Sequence, residues 1–252
     1  MSKLRIGYRL VLLSLVLTAG SILTMLFQRG TLPPKGLQSR ITRWWHSSVA
    51  RSLGVPVHVH GQPREQATLF VSNHVSSFDI AALGSVLPVR FLSKVEVKNW
   101  PLMGWLATRA GTLYIERGGR DAAAKTNRTM AEALSLKHNV VLFPEGTTTD
   151  GNLRRFHSRL MQSAVDSGAD VQPVAIRYPD PDGSLVHPAA LFVGKMRFRD
   201  LSKRLLAARD LEVDIYFGEA VSAKNKTRDE LARYSEAEVR RLLGMPPTLD
   251  QA

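Results

Sequence analysis

Residues Asn73–His74–Val75–Ser76–Ser77–Phe78–Asp79 bring an imidazole and a carboxylate together at a spacing of five. On a continuous helix, positions five apart lie ~140° apart around the axis, so the two meet only if a turn intervenes. Ser77 is a good N-cap residue, which predicts Asp79 in the first turn of a following helix, where the dipole favours a carboxylate. Asp79 would then accept a hydrogen bond from Nδ1–H of His74 and leave Nε2 free as a base. That is the orienting half of a Ser-His-Asp triad without its serine. A structural loop pair is the alternative on these seven residues alone. Glu116–Arg117–Gly118–Gly119–Arg120 places a guanidinium beside flexible glycines, which suits an anionic headgroup or phosphate, or is a plain surface arginine. In Phe143–Pro144–Glu145–Gly146–Thr147, Pro144 cannot extend a central strand and Gly146 permits backbone closed to other residues. Glu145 there binds a hydroxyl, positions a base, or is an exposed turn residue. His58 and His60 share a strand face, but with no third ligand apparent they read as surface histidines rather than a metal site. His157 is a candidate auxiliary residue; His46, His138 and His187 have no supporting constellation.

These groups need elements to hold them. From about residue 55, short β-rich runs alternate with helical patterns: strands at 55–60, 68–72, 89–93, 111–115, 140–143, 171–176 and 212–217, and helices at 78–87, 101–109, 121–136, 157–167, 201–208 and 228–242. The alternation predicts an α/β sheet covered by helices. Such sheets bind ligands beyond the carboxyl ends of their strands, where the chemistry-bearing runs above fall.

The 252 residues suit one domain, and 44% hydrophobic with 22% charged residues excludes wholesale disorder. With no cysteine there is no disulfide scaffold, thiolate metal site or cysteine nucleophile. Residues 1–64 carry nine basic residues and no acid, leaving 25 basic against 22 acidic residues for the rest. An acid-free basic segment faces polyanions. Because Leu10–Gln28 between Arg9 and Arg29 is uncharged and reaches ~28 Å as a helix, lipid fits better than nucleic acid. A cleaved signal, a spanning helix and an in-plane anchor all remain open for residues 10–28. A second helix near 37–53 carries Ile41, Trp44, Trp45, Val49 and Leu53 among arginines, suited to a membrane interface or to the protein's own core.

In this order, the blocks resemble the 1-acylglycerol-3-phosphate acyltransferases of the glycerolipid acyltransferase family. Asn73, His74, Ser76 and Asp79 match its first block, Glu116–Arg117 its second, Phe143 to Thr147 its third, and Pro173 the apolar strand of its fourth. The resemblance implies one α/β acyltransferase domain with a mixed β-sheet flanked by helices over residues 55–252. Membrane-anchoring helices over 1–54 would precede it, on the cytoplasmic face of the cell membrane. It implies that His74 deprotonates the hydroxyl of a lyso-lipid, which attacks an acyl-CoA or acyl carrier protein thioester, with Asp79 holding the imidazole. Arg117 would bind the acceptor headgroup, and Glu145, Gly146 and Thr147 would order the acceptor side, with backbone N–H groups near the oxyanion. No metal, cofactor or nucleic acid is implied. Trp100–Leu106 is a candidate acyl-chain wall or core packing. Two departures bear on the acceptor: Thr148 follows Glu-Gly-Thr where the family often has Arg, and Phe156–His157–Ser158–Arg159 lacks the usual glycine. The missing arginine weakens a phosphate monoester acceptor, and lyso-ornithine lipid, with an amino-acid headgroup, is the alternative. Arg154, Arg155 or Arg159 would have to compensate for a phosphate. A thioester hydrolase and a non-catalytic binding module are the rival readings.

Overall fold

A mixed sheet in the strand order β1-β7-β6-β2-β5-β3-β4, with β8 pairing β6, organises the computed structural model, which describes residues 2–27, 36–115 and 121–247. The strands are β1 (Val57–His60), β2 (Thr68–Ser72), β3 (Val89–Lys94), β4 (Leu113–Ile115), β5 (Asn139–Leu142), β6 (Asp170–Arg177), β7 (Val213–Phe217) and β8 (Val221–Ser222). Strands β2 to β6 are mutually parallel; β7 and β8 run antiparallel along β6, and β1 parallels β7. All seven expected strands are present. Central β2 and β5 are buried on both faces, which explains their uninterrupted apolar runs.

The pleat divides the core. Phe70, Val141, Val174 and Ile176 pack under α2 (Leu37–Leu53), α3 (Asp79–Val86) and α8 (Phe198–Ala207). Leu69, Val71, Val140 and Leu142 pack on the other face under α6 (Ala122–Ser135), α7 (Gln162–Ser167) with its preceding 3-10 turn, and α9 (Arg228–Leu242). The segment after β2 thus goes to one face and that after neighbouring β5 to the other. This divergence makes the carboxyl edge between β2 and β5 the place where open α/β sheets hold their ligands.

Helix α1 (Ser2–Phe27) is the one helix among the described residues long and apolar enough to cross a membrane. Gly20 abuts Trp45 and Arg9 abuts Gly54, so α1 runs antiparallel along α2. Its outer face leaves Leu10, Val11, Leu15, Ile22, Met25 and Leu26 bare. Arg9 donates to the carbonyls of Leu205 (3.3 Å), Leu206 (3.0 Å) and Ala208 (2.6 Å), and Arg5 to that of Ala207 (2.7 Å). Two of the nine basic residues read as facing polyanions therefore cap the carboxyl end of α8. Gly54, at φ +66°, leaves room for Arg9, since a Cβ there would lie 2.4 Å from Nη2. Helix α2 is partly core: Ala50 and Leu53 are buried in the cluster that contains Val55, while Trp44 is exposed. His46 is wedged between α2 and Gly84 of α3, and burial lowers its pKa to about 4, so it sits there neutral.

Candidate active site

His74 leaves the carboxyl end of β2, and a turn brings it back to Asp79, the first residue of α3. Nδ1 of His74 lies 2.7 Å from Oδ2 of Asp79. The same Oδ2 accepts the backbone N–H groups of Val75 (2.9 Å) and Ser76 (3.0 Å). Asp79 thus caps its own turn, the role expected of Ser77; the residue preceding the helix is Phe78, which makes no side-chain cap. A carboxylate satisfies several N–H groups where a serine satisfies one, which is why the acid took the position. Oδ1 accepts the hydroxyl of Tyr178 at 2.5 Å. Asp79 is wholly buried and its two oxygens receive four donors, so Nδ1 of His74 must be a donor and Nε2 is the nitrogen presented to substrate. The imidazole, 18% exposed, stacks on Phe143 at 4.1 Å.

Tyr178 carries no sequence signal of a role. It follows the apolar strand β6 by one residue, and only the sheet order brings it to Asp79. Burial, then the charge of Asp79, push its pKa well above the usual tyrosine value, so the hydroxyl keeps its proton and donates. Asn73 is likewise structural: its amide exchanges two bonds with Ile176 (2.9 and 2.8 Å) and extends the pairing of β2 with β6 past the last strand residue.

Glu145 is brought to the dyad, but its carboxylate turns inward. Oε1 accepts the backbone N–H of His74 at 2.7 Å and Oε2 that of Arg154 at 2.9 Å. Burial pushes its pKa up to about 7 although both N–H bonds pull it down. Of the three readings from sequence, the exposed turn residue is excluded, and the contact with the His74 backbone fits a group that positions the base. Gly146 (φ +71°) and Thr147 are exposed at the turn. The Gly146 N–H donates to Phe143 O within that turn, so the expected oxyanion contact from this group is already spent. Thr148 donates to the carbonyl of Phe192, and Thr149 N–H to His74 O at 2.8 Å. Glu116 and Arg117 lie outside the described residues. Of the segment read as an acyl-chain wall or core packing, Gly104 and Leu106 are buried, whereas Trp100, Leu102, Met103 and Trp105 are exposed and are not core. His58 and His60 pair with Glu212 and Asp214 on the surface.

The site thus pairs an imidazole with a buried carboxylate at the carboxyl edge of the sheet. The family model described as Acyltransferase matches residues 56–177. A lyso-ornithine lipid O-acyltransferase of Pseudomonas aeruginosa is 44% identical over 81% of this chain and 78% of its own length. One of Rhizobium meliloti is 34% identical over 94% and 84%. A 1-acyl-sn-glycerol-3-phosphate acyltransferase of Neisseria gonorrhoeae is 39% identical over 53% of each. The crystal structure of the 1-acyl-sn-glycerophosphate acyltransferase PlsC from Thermotoga maritima superposes with a TM-score of 0.67 at 20% identity, covering 97% of both chains, which establishes the shared fold. The chain belongs to the acyltransferase family and is a transferase enzyme.

Proposed function

We propose that this enzyme moves a fatty acyl group from an acyl-CoA or acyl carrier protein thioester to the free hydroxyl of a lyso-lipid. The observation that carries the reading is the His74–Asp79 pair, with Nδ1 occupied and Nε2 open. Nε2 takes the hydroxyl proton as the oxygen attacks the thioester carbonyl. The tetrahedral adduct collapses, the C–S bond breaks, and the imidazolium returns its proton to the departing thiolate. Asp79, saturated with donors, holds the ring in one tautomer and offsets its transient charge.

The acceptor we propose is lyso-ornithine lipid. Relatives of that name align over most of this chain. Thr148, where the family often carries arginine, is engaged by the Phe192 carbonyl and brings no positive charge for a phosphate monoester. Arg117 would then supply the headgroup contact by resemblance. The chain attaches to the membrane through residues 1–54, with 55–252 as the catalytic portion. An in-plane α1 is favoured because the helix lies along α2, is pinned at Arg5 and Arg9, and keeps only one apolar face bare. Cytosolic thioester donors favour the cytoplasmic face.

The test is an acceptor panel with the purified full chain, labelled acyl-CoA and acyl carrier protein, lyso-ornithine lipid and lysophosphatidic acid. We expect transfer to lyso-ornithine lipid. His74→Ala should lower the rate on the order of 10²–10⁴-fold with lipid binding intact. Selectivity for lysophosphatidic acid would overturn the acceptor; release of free acid without any acceptor would overturn the transferase mechanism.

A further inference from the structure

Outside the dyad, the carboxyl edge of the sheet carries a second apolar surface that the reaction does not use. It is built by α4 (Val95–Lys98) and α5 (Met103–Arg109), which follow β3, and by the first turn of α8. Trp100 (47% exposed), Leu102 (51%), Trp105 (38%) and Phe198 (48%) lie bare there. The Trp100 and Phe198 rings meet at 6.4 Å, so segments about a hundred residues apart form one patch. Leu102 tops a tight turn, φ +58° and ψ −56°, closed by a 2.6 Å bond from Met103 N–H to Pro101 O. That is a strained γ-turn on a non-glycine residue, and it holds the leucine out in solvent. The same segments carry Lys98, Arg109, Lys195, Arg197, Arg199 and Lys203, against Glu96 and Asp200; Arg109 lies over the Trp105 ring at 5.6 Å.

Helices α4 and α5 follow β3, which lies parallel to β5 and so ends on the edge from which His74 emerges. Thr148 binds the Phe192 carbonyl, which ties the stretch leading into α8 to the turn beside the dyad. The patch therefore lies toward the same edge of the sheet as His74. Helix α5, which carries Trp105, also contacts α1, so this part of the patch lies beside the helix proposed to attach to the membrane.

We infer that this surface is a second membrane contact, which seats the catalytic edge of the sheet on an anionic leaflet. The inference rests on the membrane attachment proposed above. Exposed tryptophans and a leucine on segments rich in lysine and arginine are the side-chain set of a lipid interface, where rings enter the headgroup layer and cations meet phosphates. The contact of α5 with α1 argues for the same leaflet as its occupant. A lyso-lipid then reaches His74 by lateral diffusion, while the water-soluble thioester arrives from the opposite side.

The experiment uses the full chain with Trp44, Trp45 and Trp105 replaced by Phe, leaving Trp100 as reporter. The vesicles are phosphatidylcholine with phosphatidylglycerol, carrying brominated acyl chains. Trp100 emission should shift to the blue and be quenched on binding. In parallel, Trp100→Ser with Phe198→Ser should weaken vesicle binding by about 10-fold or more. It should raise KM for vesicle-borne lyso-lipid but leave kcat, and KM for a short-chain monomeric lyso-lipid, unchanged. Unquenched Trp100 on a vesicle-bound protein overturns the inference. So does a double variant that binds vesicles normally but loses turnover with acyl carrier protein, which would give the surface to an acidic donor protein. Failure of the unsubstituted chain to bind vesicles would instead refute the membrane attachment itself.

Discussion

Replacing Glu145 with Gln separates two roles for the carboxylate beside the dyad. Both oxygens are taken by backbone N–H groups, of His74 at 2.7 Å and Arg154 at 2.9 Å, and the residue is 5% exposed. Hydrogen bonds to a charged acceptor are worth ~1.5–3 kcal/mol each. Glutamine is nearly isosteric but has one oxygen, and its NH₂ would confront a backbone N–H, donor against donor. One bond is lost, from the segment that carries the imidazole. At ~1.4 kcal/mol per tenfold, this predicts a kcat lower by about 10- to 100-fold, with little change in KM for the lyso-lipid. The pH dependence is diagnostic. Burial raises the Glu145 pKa from 4.5 to about 7. A group raised in the folded state contributes stability that is present below its unfolded pKa and lost as pH climbs through its folded one. At ~1.4 kcal/mol per pH unit, roughly 3 kcal/mol is lost between about pH 4.5 and 7. Activity runs the other way, since only the ionised form accepts both N–H bonds. Steady-state kinetics and thermal melts across this range should therefore show wild-type kcat rising while stability falls, and Glu145→Gln should flatten that part of the stability curve. A variant with unaltered kcat and a raised acceptor KM would refute the positioning role and return Glu145 to the acceptor.

Tyr178→Phe leaves a buried carboxylate oxygen one donor short. Urea unfolding should register a loss of ~1.5–3 kcal/mol, and the acid limb of kcat/KM should move; an unaltered profile at wild-type stability would remove Tyr178 from the dyad. Thr148→Arg should shift kcat/KM toward lysophosphatidic acid relative to lyso-ornithine lipid at fixed salt, and an unchanged ratio would mean that position 148 does not face the headgroup.

Local pattern carried most of the fold. The strand β2 and the helix α9 fall on the residues read from sequence, and Thr227 with Glu230 closes a capping box on α9. Short α4 and two-residue β8 have too few residues for periodicity to register. In the site, the His74–Asp79 pair was legible because one turn makes it. Tyr178 was not, since its partner is 99 residues away and only the β6–β2 pairing joins them. For Glu145, positioning a base was one of three readings the sequence left open; it could not be chosen because the N–H groups the carboxylate faces belong to the backbone and leave no mark in the sequence. Arg5 and Arg9 were misread for the same reason, as their partners are carbonyls.

Those two arginines also bear on which lipids the enzyme meets. An enzyme on a flexible tether samples a range of heights over a membrane; this one is keyed to its anchor at two places, Arg9 on the end of α8 and Gly20 on Trp45. The dyad therefore stands at a fixed offset from α1, and sliding the helix by one turn, ~5.4 Å, would break the grip at α8. Immersion depth becomes a property of the fold. A generic apolar helix grafted in place of α1 would retain the protein on vesicles but free its height and leave the carbonyls of residues 205–208 without their guanidinium partners. On the proposed membrane attachment, a fixed height would make the depth of the free hydroxyl, as well as headgroup charge, a criterion for the lyso-lipid.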